Sequence, residues 1–456
     1  MPSTLPPVSP NLFASDGPIL TQQMFPNYPV LQPDRSMTIQ PSTSREGMSS
    51  YSCTVPGIRF CSIKPEAASC KERAFQKPAR QGKDCRNKKD RELHSLQDAT
   101  DTMKGHEWTR RWVEGVPDDI SHWASTETRK VRVTEGYTKD AVELRVRQFV
   151  PQDGDSLERS WVHDGVKKRV IIPAYAIVNL EEAKSAYSSY ISCSFVECCK
   201  KILFGKDKLL WATYGAALRV TRDPMAGDKE KELLKKALQL WMAVRMTTKS
   251  TVIVGEETLG MTPDIMDDTS PLRGKIPLPP VMGAQIELVL IHQIQSNLRR
   301  EMLENLQTIT QANKQGTWFT TYLITFILLH NVALLCQHDA SYARKHGMKS
   351  RFAREDMVRE YQLGANILLA YFHYCNKGIH PFSTECKEQD LTTLAALNEQ
   401  RAQFIRQTKA HIEKHRRGVI KGGKSWQKIR DSHDYENDFY YISQLFEENW
   451  MPQPTI

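Results

Sequence analysis

Trp318-Phe-Thr-Thr-Tyr-Leu-Ile-Thr-Phe-Ile-Leu-Leu-His-Asn-Val-Ala-Leu-Leu-Cys336 runs for nineteen residues without an Asp, Glu, Lys or Arg. Its length alone would let a helix cross a bilayer. It also carries Thr320, Thr321, Thr325, His330 and Asn331. Those polar groups are costly in lipid and easily satisfied inside a large helical protein. The stretch therefore predicts a buried core helix, and no membrane partner is expected.

Outward from this helix, apolar residues recur at helical spacing. Residues 181–204 place Ala183, Ala186, Tyr187, Tyr190, Ile191, Cys198 and Ile202 near one face. Residues 230–247 do the same with Leu234, Leu238, Trp241 and Val244, and 284–309 with Ile286, Leu290, Ile294, Leu298, Met302 and Leu306. With 355–375 and 390–415 the reading gives about six helices. A polar, Pro-rich connector over 261–283 is long for a loop between bundle helices.

Before the helices the period is two. Val131 and Val133, then Val142, Leu144 and Val146, alternate with polar residues, Arg145 and Arg147 falling on the opposite face. Glu135 to Asp140 reads as the hairpin connection, and Val170-Ile171-Ile172 adds a third run before Pro173. Residues 128–175 are thus read as a small antiparallel sheet. The fold class is mainly α, a multi-helix domain with a small antiparallel β-subdomain and a disordered N-terminal tail. The boundaries are 1–105 (disordered, basic from about residue 59), 106–178 (β-rich), 179–415 (helical) and 416–456 (basic linker and acidic-aromatic tail).

The chain has 456 residues, 40% apolar and 25% charged, with a net charge of +9. That is enough hydrophobe for a core, and the basic excess permits DNA as a partner. Nine Pro and eight Ser within residues 1–50 predict disorder. From Arg59 to Arg91 eleven Lys or Arg face four acids. This basic arm, with Arg80, Lys83, Arg86, Lys88, Lys89 and Arg91, is the candidate for phosphate contact; a solvated linker is the other reading. No secretory signal is read at the start, so reduced thiols are expected.

Chemistry-bearing motifs are scarce. Cys53, Cys61, Cys70 and Cys85 lie in the arm without the tight C-x2-C pair that starts most structural zinc sites, so no metal ligand and no cofactor is assigned. Gly418 to Ser425 fits G-x4-G-K-[ST], but the stretch before it, His411-Ile-Glu-Lys-His-Arg-Arg417, reads as a charged helix end where a nucleotide loop needs an apolar strand. It is read as a basic linker. His330 and His373 sit in apolar helices and are read as hydrogen-bonded core residues. No catalytic residue is assigned and no enzyme is expected. From Asp431 on, six acids accompany Tyr435, Phe439, Tyr440, Tyr441, Phe446 and Trp450, with no Lys or Arg. Composition suits either an activating segment that presents aromatics to a partner or a helix docked on the body, the latter favoured.

Four blocks carry a resemblance: Val146-Arg-Gln-Phe-Val-Pro-Gln-Asp-Gly-Asp155 with Trp161 and Pro173-Ala-Tyr-Ala-Ile177; Leu240-Trp-Met-Ala-Val-Arg-Met246 followed by Gly255-Glu-Glu-Thr-Leu-Gly-Met261; Ile276-Pro-Leu-Pro-Pro-Val-Met282; and Leu368-Leu-Ala-Tyr-Phe-His-Tyr-Cys-Asn-Lys-Gly378. Over about residues 125–385 the chain resembles the C-terminal regulatory region of fungal zinc-cluster (six-cysteine binuclear) transcription regulators. The resemblance implies a nuclear regulator whose helical regulatory domain pairs with itself or a relative, controls a metabolic gene cluster, and meets the transcription machinery through the tail. The chain departs from the pattern in lacking the six-cysteine cluster, so no zinc ligand carries over. Trp241, Arg245, Tyr371 and Phe372 lie in the matching blocks and are read as pocket or core residues. The alternatives are a DNA-independent interaction module that antagonises a complete relative, and a small-molecule binder or enzyme.

Overall fold

The computed structural model describes residues 120–452 apart from 121, 153, 154, 156, 346–354 and 417–423. The basic arm with Arg80, Lys83, Arg86, Lys88, Lys89 and Arg91, and the cysteines at 53, 61, 70 and 85, lie outside the described residues.

The alternating runs form strands where they were expected. β1 (Trp123–Thr134) pairs antiparallel with β2 (Val142–Phe149), with Val131 opposite Leu144 and Val133 opposite Val142. Val131, Val133, Val142, Leu144 and Val146 are buried while Lys130, Arg132, Glu143 and Arg145 face out, so one face is core and one is wet. The sheet has five antiparallel strands in the order β5-β2-β1-β6-β7. β5 (Tyr175–Ile177) is local, but β6 (Val252–Val254) and β7 (Ile276–Pro277) arrive from beyond the first three helices. The run at 170–172 departs from the expectation: β4 (Val166–Ile171) joins β3 (Glu158–His163) in a separate two-stranded ribbon. Asp164 (φ 48°) and Gly165 (φ 76°) turn that ribbon in the left-handed region, the geometry that a two-residue hairpin with right-handed twist requires.

The ribbon fixes the connector. Trp161 Nε1 donates to Thr269 Oγ1 at 3.0 Å, Lys168 Nζ to Asp267 at 3.0 Å, and Arg159 Nη2 to the Leu278 carbonyl at 2.6 Å. Leu259, Met261, Met266 and Leu278 are buried. The connector is therefore an ordered part of the body.

The helices follow the predicted period closely. α1 spans Leu180–Leu203, capped by the Asn179 side chain, which accepts from Glu182 N. α2 (Lys208–Arg222) was not predicted; it is buried except along a narrow stripe through Lys208, Trp211, Arg219 and Arg222. α3 spans Asp228–Thr247. α4 (Pro280–Glu287) starts with Pro at its first turn and continues through a π-helical stretch, Leu288–Gln295, into α5 (Ser296–Ala312). α6 (Trp318–Lys345) and α7 (Glu355–Cys375) follow, and the predicted 390–415 helix is two, α8 (Glu388–Leu394) and α9 (Glu399–Arg416). α10 (Trp426–Asp431) and α11 (Phe439–Ile442) end the chain.

α6 is the axis of the bundle. Its most apolar window is 89% buried inside the protein, and α2, α3, α5, α7 and α11 pack around it. Trp318, Phe319, Tyr322 and Phe326 form an aromatic ladder with Phe372, Phe382 and Phe404. The sheet packs against α1 and α4. Gln285 on α4 gives β5 a side-chain partner: its Oε1 accepts from Ile177 N at 2.6 Å and its Nε2 donates to Ile177 O at 3.1 Å.

Candidate functional site

The four residues read as pocket or core separate into two places. Trp241 is fully buried on α3 against Tyr214 of α2, ring centroids 6.5 Å apart, and Arg245 one turn later lies 5.8 Å from the Trp241 ring. Phe372 is fully buried on α7 against Trp318 and Tyr322, while Tyr371 beside it is half-buried. Trp241 and Phe372 are core residues, and the four do not line one pocket. A crevice between α2 and α9, lined in part by Arg219, Asp223 and Arg401, is too small for a ligand of ordinary size.

The polar core is concentrated where α2, α3, α6 and the chain's end meet. Tyr214 Oη lies 2.8 Å from His330 Nδ1, and His330 Nε2 lies 3.6 Å from Asp438 Oδ1. That geometry fits a proton on Nε2 facing the carboxylate, with Nδ1 accepting from Tyr214. Lys206 Nζ meets Asp438 Oδ2 at 2.8 Å, and Gln337 Nε2 donates to Asp438 Oδ1 at 2.5 Å. Next to His330, Asn331 Oδ1 accepts from Arg245 Nη2 at 3.3 Å. Burial pulls His330 below the usual imidazole range despite the pull of Asp438, so the ring is neutral at pH 7. Burial would raise Asp438, but His330 and Lys206 outweigh it and the carboxyl titrates well below the usual range. The charge opposing Asp438 at neutral pH is thus the Lys206 ammonium. Burial also brings the Arg245 guanidinium down to about 10, where it stays charged at pH 7. His373, the other core histidine, meets the Gln444 carbonyl at 3.0 Å and stacks on Trp450 with centroids 5.1 Å apart.

These contacts match the favoured reading of the tail as a segment docked on the body. Phe439, Tyr440, Tyr441, Ile442, Leu445 and Phe446 are all buried, as are Trp426 and Ile429. The aromatics complete the core beside α6, and a side chain that fills a core cannot also fill a partner's groove. Composition alone left the activating and the docked readings open, because acids alternating with aromatics suit both. The helix α9 before Gly418 also removes the strand that a phosphate-binding loop requires; Lys424 pairs with Asp434 at 3.0 Å and Ser425 caps α10.

A second titratable cluster was missed in the sequence. Asp207, the N-cap of α2, accepts from Leu209 N at 2.7 Å and faces two imidazoles of α9. His411 Nε2 lies 2.9 Å from Asp207 Oδ1, His415 Nε2 3.6 Å from Asp207 Oδ2, and the two Nε2 atoms 2.9 Å from each other. His415 stacks on Trp426, centroids 4.3 Å apart. The available signal was H-x3-H, which sets both rings one turn apart on one helix face; Asp207, two hundred residues earlier, gave none.

No curated protein and no solved structure matches this chain. The model of the KpeA transcription factor family does match, over residues 99–445. The match begins after the basic arm and ends within the buried C-terminal segment, so it spans the sheet, the bundle and most of the segment that closes it. With about three quarters of its length matched, the chain belongs to the KpeA transcription factor family.

Proposed function

We propose that this transcription regulator is a nuclear protein of the fungal type, similar to the regulatory region of zinc-cluster regulators, which controls a metabolic gene cluster without a six-cysteine cluster of its own. The observation that carries the reading is the division of the chain: the family match covers the folded body, and the concentrated positive charge of Arg59–Arg91 precedes it. In this reading the arm, through Arg80, Lys83, Arg86, Lys88, Lys89 and Arg91, supplies phosphate affinity with little sequence choice. Sequence choice then comes from a partner, and the body pairs as a homo- or heterodimer. The chain acts by binding and not by catalysis.

Chromatin immunoprecipitation of the tagged full chain, beside a form lacking residues 1–105, tests this. Discrete promoter peaks that disappear without the arm support direct DNA contact. Peaks that persist favour the antagonist or partner-recruited module. No enrichment for either form rejects the reading.

A further inference from the structure

Two imidazoles and a carboxylate cannot all satisfy one another in the arrangement at the start of α2. His411 Nε2 has 2.9 Å contacts to both Asp207 Oδ1 and His415 Nε2. A ring nitrogen carries at most one proton, so it serves one neighbour and leaves the other contact without one. His415 is buried and its Nδ1 has no hydrogen-bond partner. Its ring orientation therefore rests on the Trp426 stack and on what Nε2 meets.

We propose that Asp207, His411 and His415 form a site for one divalent transition-metal ion, zinc being the best suited. Three lone-pair donors from two imidazoles and one carboxylate are a common ligand set for zinc, with water in the fourth position. At metal–ligand distances of about 2.0–2.1 Å, a tetrahedral ion needs its donor atoms about 3.3 Å apart. His411 Nε2 lies 2.9 Å from both Asp207 Oδ1 and His415 Nε2, His415 Nε2 lies 3.6 Å from the other carboxylate oxygen, and one donor atom from each residue falls within 4.8 Å of the others, so small side-chain rotations bring the three onto one ion. The carboxylate is already aimed: its bond to Leu209 N fixes it as a cap. Asp207 and His411 are partly open to solvent, at 26% and 17% of side-chain area, which gives the ion an entry path and room for the water. The ion would fasten the start of α2 to the end of α9 and, through the His415–Trp426 stack, to the C-terminal segment.

The test is zinc content by mass spectrometry on purified full-length chain after dialysis, with two variants beside it. One is His411→Gln, chosen because it keeps the helix and a polar side chain; the other replaces Cys53, Cys61, Cys70 and Cys85 by Ser. About one zinc per chain, kept by the cysteine variant and lost by His411→Gln, is the expected result. Zinc kept by His411→Gln but lost by the cysteine variant places the ion in the arm and overturns the proposal, as does no zinc in any form. Thermal melts with added zinc chloride give the second readout. A rise in Tm that the wild type and the cysteine variant show and His411→Gln lacks supports the site; an unchanged wild-type Tm overturns it.

Discussion

Asp438 shows how one charged residue can anchor a whole segment. It is only 12% exposed, yet it is ionised because Lys206 and His330 face it. Asp438→Asn keeps the shape and removes the charge. A hydrogen bond to a charged group contributes about 1.5–3 kcal/mol, so thermal unfolding at pH 7 should show a loss of that size. The pH dependence follows from the sign of the shift. The folded pKa lies below the unfolded one, so the contribution is complete above the ordinary carboxylate pKa of about 3.9 and fades as pH falls through the folded value. The Tm gap between wild type and Asp438→Asn should be full at pH 7 and close only below about pH 4. A gap that widens as pH falls from 7 to 6 would show His330 titrating, because only the wild type keeps the carboxylate that favours a protonated ring.

Elements were legible from sequence where one face was wet. β1 and β2, and the helices around Leu234, Leu298 and Leu368, each show a buried stripe and an exposed one, and their ends fall near the predicted positions. α2 was not legible, because from Leu209 to Leu218 only Trp211 is not fully buried. β6 and β7 are three and two residues long, too short to carry a period, and they join a sheet begun more than a hundred residues earlier. The β3–β4 ribbon did carry a signal, Asp164-Gly165, that the apolar run at 170–172 obscured. The site was less legible than the fold. Pairs such as Asp207 with His411, or Lys206 with Asp438, come from opposite ends of the domain. Gln285 is the element-scale case: one side chain supplies both bonds that a neighbouring strand would give to Ile177. Gln285→Ala leaves a buried N–H and C=O unpaired, at a cost of about 1–3 kcal/mol each. Denaturant unfolding should show that loss, with faster amide exchange confined to β5 and its neighbours.

At the scale of the molecule, the C-terminal segment closes the core. Trp426, Ile429, Phe439, Tyr440, Tyr441, Ile442, Leu445 and Phe446 are all buried. Burying one large apolar side chain is worth about 1.5–3 kcal/mol, so the eight together rival the whole net stability of about 5–15 kcal/mol typical of a domain. A chain ending at residue 423 should lose its cooperative thermal transition and bind a hydrophobic dye. A sharp melt near the wild-type Tm would show instead that α6 can be covered without the segment. The position of these residues also matters during synthesis. Domains fold as the ribosome delivers them, and here residues 426–446, delivered after all the long helices, fill the middle. The body cannot complete its core until those residues have left the ribosome. A stop codon or frameshift anywhere before residue 446 would then behave as a null allele, removing the folded regulator and not merely trimming it.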